Sequence, residues 1–386
     1  MADVADSRLM RRSPVNADDG GTRPEPGVGL CLSGGGYRAM LFHAGVLWRL
    51  YELGRLATLA RVSSVSGGSI TAAVLATRWK ELSFDPGRVN AEFAPLVVAP
   101  LRTLASRTLD AHAIIGGLFL PGTIADHIAR QYDDILFKGA TLQDLPADPG
   151  PRFVINATNV QTGALWRFSR PYMGDWQVGR VRNPTLPLAI AVAASAAFPP
   201  VLSPLMLTVE PSTVQPEAGA VLHETPYTSR IVLTDGGVYD NLGLETVWKR
   251  YETVFVSDGG QRLSPEPEPH EDWARHAYRI FNLTDNQVRA LRKRQVVGSF
   301  ADRERQGAYW SIRNLASEFT APTPLACAPQ ATRELAAVAT RLERMDDRLQ
   351  ERLINWGYAV CDLALRTHYD TALPPPHRFP FPASSV

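Results

Sequence analysis

The sequence predicts an α/β fold in which helices pack on a parallel sheet. Three observations carry this. Val28-Gly29-Leu30-Cys31-Leu32 is an apolar run closed by Ser33-Gly34-Gly35-Gly36, and helical spacing follows at once. Arg61-Val62-Ser63-Ser64-Val65 repeats the arrangement, with Gly67-Gly68 and a second helix behind it. Two strand–glycine turn–helix units in succession read as a parallel sheet with crossover helices. The chain also has 386 residues, 45% of them hydrophobic, enough for one large core without staples.

The elements follow in order. Residues 1–26 hold Asp3, Asp6, Asp18, Asp19, Gly20 and Gly21 without a core pattern, and are expected to form a disordered tail. They contain no apolar run of signal-peptide length. Met40, Leu41, Ala44, Leu47 and Leu50 recur at helical spacing, and Gly54 closes that helix. Ile70 to Trp79 forms the next one. Residues 81–150 mix helical stretches with proline-rich turns. Phe153 to Thr158 is a strand, with Ala164 to Phe168 as its hairpin partner. Leu186 to Leu202 is rich in alanine and broken by Pro187, Pro199 and Pro200. It reads as a buried helix running into a turn, not a membrane span. Pro211 to Pro226 is expected to be a surface loop. Ile231 to Thr234 and Thr253 to Val256 are strands that end in Asp235-Gly236-Gly237 and Asp258-Gly259-Gly260. Helical regions are expected at about 286–298 and 331–368, and residues 371–386 form a proline-rich tail. One domain, 27–370, is the expected unit.

Composition excludes several classes. A net charge of +1 lacks the basic field of a general nucleic-acid binder. Cys31, Cys327 and Cys361 are odd in number and widely spaced, which fits neither a disulfide framework nor a zinc site. There is no HExxH and no Asp/His cluster, so no metal is expected. A cytoplasmic location, with at most peripheral membrane contact, is the expectation.

Three motifs carry chemistry. Ser66 lies in a sharp turn between a β-branched run and a helix, with small residues at −2 (Ser64) and +2 (Gly68). Such a nucleophile elbow lifts a hydroxyl clear of the sheet. A serine N-cap would use the same position. Gly34, Gly35 and Gly36 present bare N–H groups of the kind an oxyanion hole needs. No GK[ST] follows, so a P-loop fails, and the acidic residue of a dinucleotide site is missing. Asp235 ends a strand before Gly236-Gly237, where α/β sheets place ligands, and burial would raise its pKa towards that of a working base. Asp258 occupies a similar position, and a turn role suffices for it.

Taken in order, Ser33-Gly34-Gly35-Gly36-Tyr37-Arg38-Ala39, Ser64-Val65-Ser66-Gly67-Gly68, Ala194-Ser195-Ala196-Ala197-Phe198-Pro199-Pro200 and Asp235-Gly236-Gly237 resemble the patatin-like phospholipase family. The strand Phe153 to Asn159 and the run Asp235 to Gly243 are similar to the same family, and the latter also to cytosolic phospholipase A2. The resemblance implies a three-layer α/β/α fold with a mostly parallel central sheet. It implies a Ser66–Asp235 dyad, an oxyanion hole of Gly34, Gly35 and Gly36, and Arg38 steadying that loop. Gly236 and Gly237 belong to the supporting motif with Ser64 and Gly68. The implied substrate is a phospholipid or other acyl lipid, and no cofactor is implied. Glycine often stands in the family where Ala39 stands here. A Ser–His–Asp triad would need His270, His276, His368 or His377, none of which lies in a small-residue turn.

Two alternatives remain open. One is a lipase effector gated by a ligand or partner. The other is a catalytically weak lipid-binding or scaffold protein on the same fold. Leu101, Leu104, Ile114, Ile115, Leu118, Phe119 and Leu120, with Gly116-Gly117 as hinge, suggest a lid or acyl-chain wall over residues 96–124, against a plain core helix. Arg289, Arg292, Lys293 and Arg294 suggest a basic helix face, against one whose cations pair with nearby acids.

Overall fold

In the computed structural model, residues 24–84, 92–109, 123–261 and 263–386 are described. The first unit is strand β1 (Glu25–Leu32) and helix α1 (Gly36–Glu52). The second is β2 (Leu59–Ser64) and α2 (Gly67–Arg78). Short helices α3 (Ala99–Ala105) and α4 (Ile124–Tyr132) lead to β3 (Arg152–Asn159), β4 (Leu165–Phe168), β5 (Tyr172–Asp175) and β6 (Gly179–Arg182). Then come α5 (Leu188–Ser195), β7 (Leu205–Thr208), β8 (Val214–Gln215), β9 (Arg230–Asp235), α6 (Gly237–Asp240), α7 (Glu245–Trp248) and β10 (Tyr251–Asp258). The chain closes with α8 (Trp273–Ala301), β11 (Gln306–Ser311), α9 (Pro329–Ala337) and α10 (Asp347–His368).

These strands form one sheet in the order β11-β10-β1-β2-β3-β4-β5-β6-β8, with β9 between β3 and β7. Strands β11, β10, β1, β2 and β3 run parallel and form its centre. The remainder is antiparallel, beginning with the predicted hairpin, Ile155 opposite Phe168. Side chains on a strand alternate between faces. Here both faces are covered. Leu30, Leu32, Phe255, Ala308 and Trp310 enter one apolar cluster with α1, α2 and α10. Cys31, Val254, Val256 and Tyr309 enter a second with Leu244 and Val247 of α7 and Val296 of α8. A sheet between two helical layers is the three-layer fold that parallel strands require.

Several expectations are corrected. β1 begins at Glu25, so the boundary of the expected tail falls inside a strand. That strand is paired with β10 from its first residue, Glu25 opposite Tyr251, and its register shifts before Val28. α8 begins at Trp273, well before 286, because Asp272 caps it by accepting from the Arg275 N–H. The C-terminal helical region breaks between Ala337 and Asp347. Strand β8 interrupts the loop expected at 211–226. The described part of the suggested lid is core: Leu101 and Leu104 are fully buried against the main cluster. Ile114 to Leu120 and the Gly116-Gly117 hinge lie outside the described residues. The tail after 370 is packed. Leu373, Phe379 and Val386 join the core, and Asn355 donates to the carbonyls of Phe381 and Ser384.

Candidate active site

Ser66 and Asp235 are 169 positions apart, and the sheet brings them together. β3 pairs with β2 over its first half, Ser64 opposite Ile155. On that same edge its second half pairs with β9, Ala157 opposite Asp235. β9 runs antiparallel to β3, whereas β2 runs parallel to it. The carboxyl ends of β2 and β9 therefore point at one another. Ser66 follows the first end and Asp235 terminates the second.

Ser66 has φ 52° and ψ −120°, a backbone conformation that costs a residue with a Cβ about 1–3 kcal/mol. The surroundings hold it there. A Cβ on Gly67 would strike the Gly36 carbonyl oxygen, and one on Gly68 the carbonyls of Leu32 and Ser33. The Ser66 N–H donates to Ser195 Oγ at 2.9 Å. Ser195 Oγ is 2.9 Å from Ser69 Oγ, which donates to Ser64 Oγ at 3.0 Å. Ser64 is therefore part of a buried hydroxyl chain that braces the turn. Ser69 and the bracing role of Ser195 are additions to the predicted site. Ser69 lies at i+3 from Ser66 on the helix, its only signal in the sequence, whereas Ser195 stands in the Ala194–Pro200 motif without a role there. Within Arg61 to Ile70, Ser66 alone is not buried.

Asp235 is buried, and burial pushes its carboxyl up to about 7. Hydrogen bonds from the Gly237 N–H and the Ser66 hydroxyl pull the other way, and the Asp285 charge adds to the rise. Oδ1 accepts from the Gly237 N–H at 2.6 Å. Oδ2 is buried and has no hydrogen bond of normal geometry among the described residues. Gly236 lies so close to the Asn156 carbonyl that a Cβ would collide with it. Asp258 contrasts with this. Its Oδ2 accepts from Tyr309 at 2.7 Å and from Arg313 at 3.2 Å, and its Oδ1 from the Gly260 N–H at 2.9 Å. Although burial opposes it, the Arg289 and Arg313 charges hold its carboxyl below the usual range. A paired anion of this kind is a poor proton acceptor.

The glycine loop faces Ser66 from the end of β1. The three amides are not equivalent. Gly34 N–H donates to the Asn241 carbonyl at 3.0 Å. Those of Gly35 and Gly36 donate to no group among the described residues. Their φ values of 141° and 58° are ones that glycine tolerates. Arg38 lies fully buried beneath them. It donates to the Gly259 carbonyl at 2.8 Å and to the Val338 carbonyl at 2.6 Å, tying the loop to β10 and to the end of α9. His43 supports the same strand end, its Nε2 2.9 Å from the Ser33 carbonyl and its Nδ1 2.8 Å from Ser257 Oγ. Burial lowers its pKa to about 4, so it is neutral and structural.

Ser66, Asp235 and the glycine loop open on one cavity of about 640 Å³. Ala196 and the run Phe198 to Leu202 form an apolar wall. Helix α8 lines it through Tyr278, Arg279, Asn282, Asp285, Asn286 and Arg289, and its Phe281 ring lies 6.0 Å from that of Phe198. The helix break contributes Thr340 and Arg341. No described histidine lines it. The cations of α8 are largely engaged: Arg292 is 3.0 Å from Glu245, and Lys293 sits over the Tyr309 ring. The predicted basic face is thus mainly an internally paired one.

A family model described as patatin-like phospholipase matches residues 30–248. No curated protein sequence matches the chain. Human GIVD cytosolic phospholipase A2 is similar in structure over 91% of this chain, at 14% identity and a TM-score of 0.51. The chain spans 62% of that protein's length, and the likeness shows the fold alone. VipD from Legionella pneumophila matches over 89% of this chain and 67% of its own, at 14% identity and a TM-score of 0.39.

Proposed function

The chain belongs to the patatin-like phospholipase family, and from that premise we propose that it hydrolyses acyl-lipid esters through Ser66 and Asp235. The observation that carries the reading is the meeting of β2 and β9, which sets a strained serine beside a buried carboxylate of raised pKa. Ser66 Oγ attacks the ester carbonyl carbon and its proton passes to Asp235 Oδ2. The oxyanion is received by the Gly35 and Gly36 N–H groups, the two in the loop without another acceptor. The intermediate expels the alcohol, which takes the proton from Asp235. Water then loses a proton to Asp235 and attacks the acyl-serine. The bond to Ser66 Oγ breaks as that oxygen takes the proton back from Asp235, and a fatty acid is released. Gly34 acts by holding the loop on Asn241, not as a donor to the oxyanion.

The apolar wall suits an acyl chain. Among the described residues no helix is long and apolar enough to cross a membrane. The test uses a short p-nitrophenyl ester and phospholipid vesicles, with wild type, Ser66→Ala, Asp235→Asn and Asp258→Asn in parallel. Loss in the first two variants with turnover in the third is expected. A folded wild type that is inert on both substrates would favour the binding-protein alternative.

A further inference from the structure

The first two thirds of helix α8 are amphipathic in the reverse of the usual sense, whereas its last turns bury Val296 in the second cluster. A helix on a protein surface buries its apolar stripe and shows its polar one. Here Trp273, Ile280, Leu283 and Leu291 are exposed, Trp273 at 86%. Asn282, Asp285 and Asn286, at i, i+3 and i+4, line the cavity instead. A polar stripe turned inward needs partners. The cavity's arginines have them. Arg279 donates to the Ser264 carbonyl at 2.8 Å and lies 3.3 Å from Glu266, and Arg289 donates to the Gln261 carbonyl. Asn282, Asp285 and Asn286 make no side-chain hydrogen bond or ion pair among the described residues. The triplet is also near the reacting groups, since the Asp285 charge acts on Asp235.

We propose that Asn282, Asp285 and Asn286 form a headgroup subsite for lipids whose headgroups donate hydrogen bonds from hydroxyl or ammonium groups. From the preceding reading it takes only that the ligand is an acyl lipid. A carboxylate accepts and never donates, and each amide oxygen accepts as well. Arg279 and Arg289 bond to carbonyls, though the Arg289 charge also acts on Asp285. The triplet offers the cavity one carboxylate and two amide oxygens as acceptors beside the amide N–H groups. The Phe198–Leu202 wall of the same cavity takes the apolar part. A triacylglycerol would leave these acceptors buried and unpaired, and a site built to hydrogen-bond a group discriminates strongly against analogues that lack it.

The test is calorimetric binding of soluble dihexanoyl lipids to the full Ser66→Ala chain, alongside turnover by the wild type. Four probes share the acyl chain: galactosyl, phosphoethanolamine and phosphocholine lipids, and trihexanoylglycerol. Galactosyl and phosphoethanolamine lipids are expected to bind at least tenfold tighter than the other two. Combining Asn282→Leu with Asn286→Leu should reduce that ratio towards one. Asp285→Asn separates the two donors, weakening the ammonium lipid more than the sugar. The readout is a ratio, so a variant that merely loosens the fold lowers all affinities alike and does not imitate the result. Equal affinities for the four probes, or variants that keep the wild-type ranking, would overturn the subsite. Ranked binding without turnover would keep the subsite and remove the hydrolase reading. Turnover that needs Ser66 but ignores the headgroup would do the reverse.

Discussion

Asp235 faces opposed demands. Burial raises its pKa to about 7, so the base form grows as pH rises through that value. On a soluble ester, kcat/KM should rise about tenfold per pH unit below 7 and level off above it. A flat profile from pH 5 to 8 would point to another base. The same shift bears on stability. The folded-state pKa lies above the ordinary aspartate value of 3.8, so the folded chain keeps a proton that the unfolded chain has released. Stability from this group is full below about pH 4, falls as pH rises towards 7, and stays lost above. Asp235→Asn should therefore raise the melting temperature at pH 8 but hardly at pH 4, while cutting activity by about 10²–10⁴. A rise from 3.8 to about 7 corresponds to at most ~4 kcal/mol. Asp258 has the opposite sign. Its pKa is lowered, so its contribution is present at neutral pH and lost as pH falls through the folded value. Asp258→Asn should lower the melting temperature at pH 7.

Glycines decide how closely elements approach. Gly45 of α1 faces the Ile354 carbonyl of α10, and Gly357 of α10 faces the Phe42 carbonyl of α1, each too near for a Cβ. The two helices thus meet backbone to backbone. Beside this crossing Asp362, fully buried, holds Arg49 at 2.7 Å and Arg366 at 2.9 Å. Asp362→Ala would leave Arg366 without its carboxylate and Arg49 with the Glu52 carboxylate alone, and urea unfolding should show a loss of about 3–5 kcal/mol. An unchanged midpoint would mean that water replaces the carboxylate at no cost. Gly67→Ala should reduce kcat on the soluble ester by about 10²–10³ if the new Cβ displaces Gly36 and with it the proposed oxyanion donor. Gly298 in α8 is the control. A Cβ there meets nothing within 4 Å, so Gly298→Ala should stabilise the chain by up to ~1 kcal/mol without a loss of rate.

Across the whole molecule, the C-terminal segment closes the core. Leu373, Phe379 and Val386 are buried, and fully buried Asn355 depends on carbonyls of that segment for both of its donated bonds. Ending the chain after Asp370 should lower the urea midpoint, with a loss of roughly several kcal/mol in unfolding free energy. The same midpoint in both chains would show the segment to be dispensable. Its spacing of prolines made it legible only as a tail, because proline marks where regular structure stops and not what packs against it.

The sequence by itself determined the βα units, the elbow, the glycine loop and the strand-ending aspartates. Each depends on neighbours in the chain: a β-branched run, a residue that must be small, a helix that must begin. Only the tertiary structure decided which of these meet. That β9 runs antiparallel and lies end to end with β2 is a matter of strand pairing, and no periodicity within Arg230–Asp235 encodes it. Strands such as Tyr172–Asp175 and Gly179–Arg182 have four residues each, too few for a pattern of their own. Gly34, Gly35 and Gly36 look alike in sequence, yet one amide is spent on Asn241, a residue 207 positions away. The polar stripe of α8 is not read from the sequence, where the helix is expected only from about residue 286 and its arginines draw attention instead. Which side faces a cavity depends on the elements packed against it, and local propensity carries no record of them.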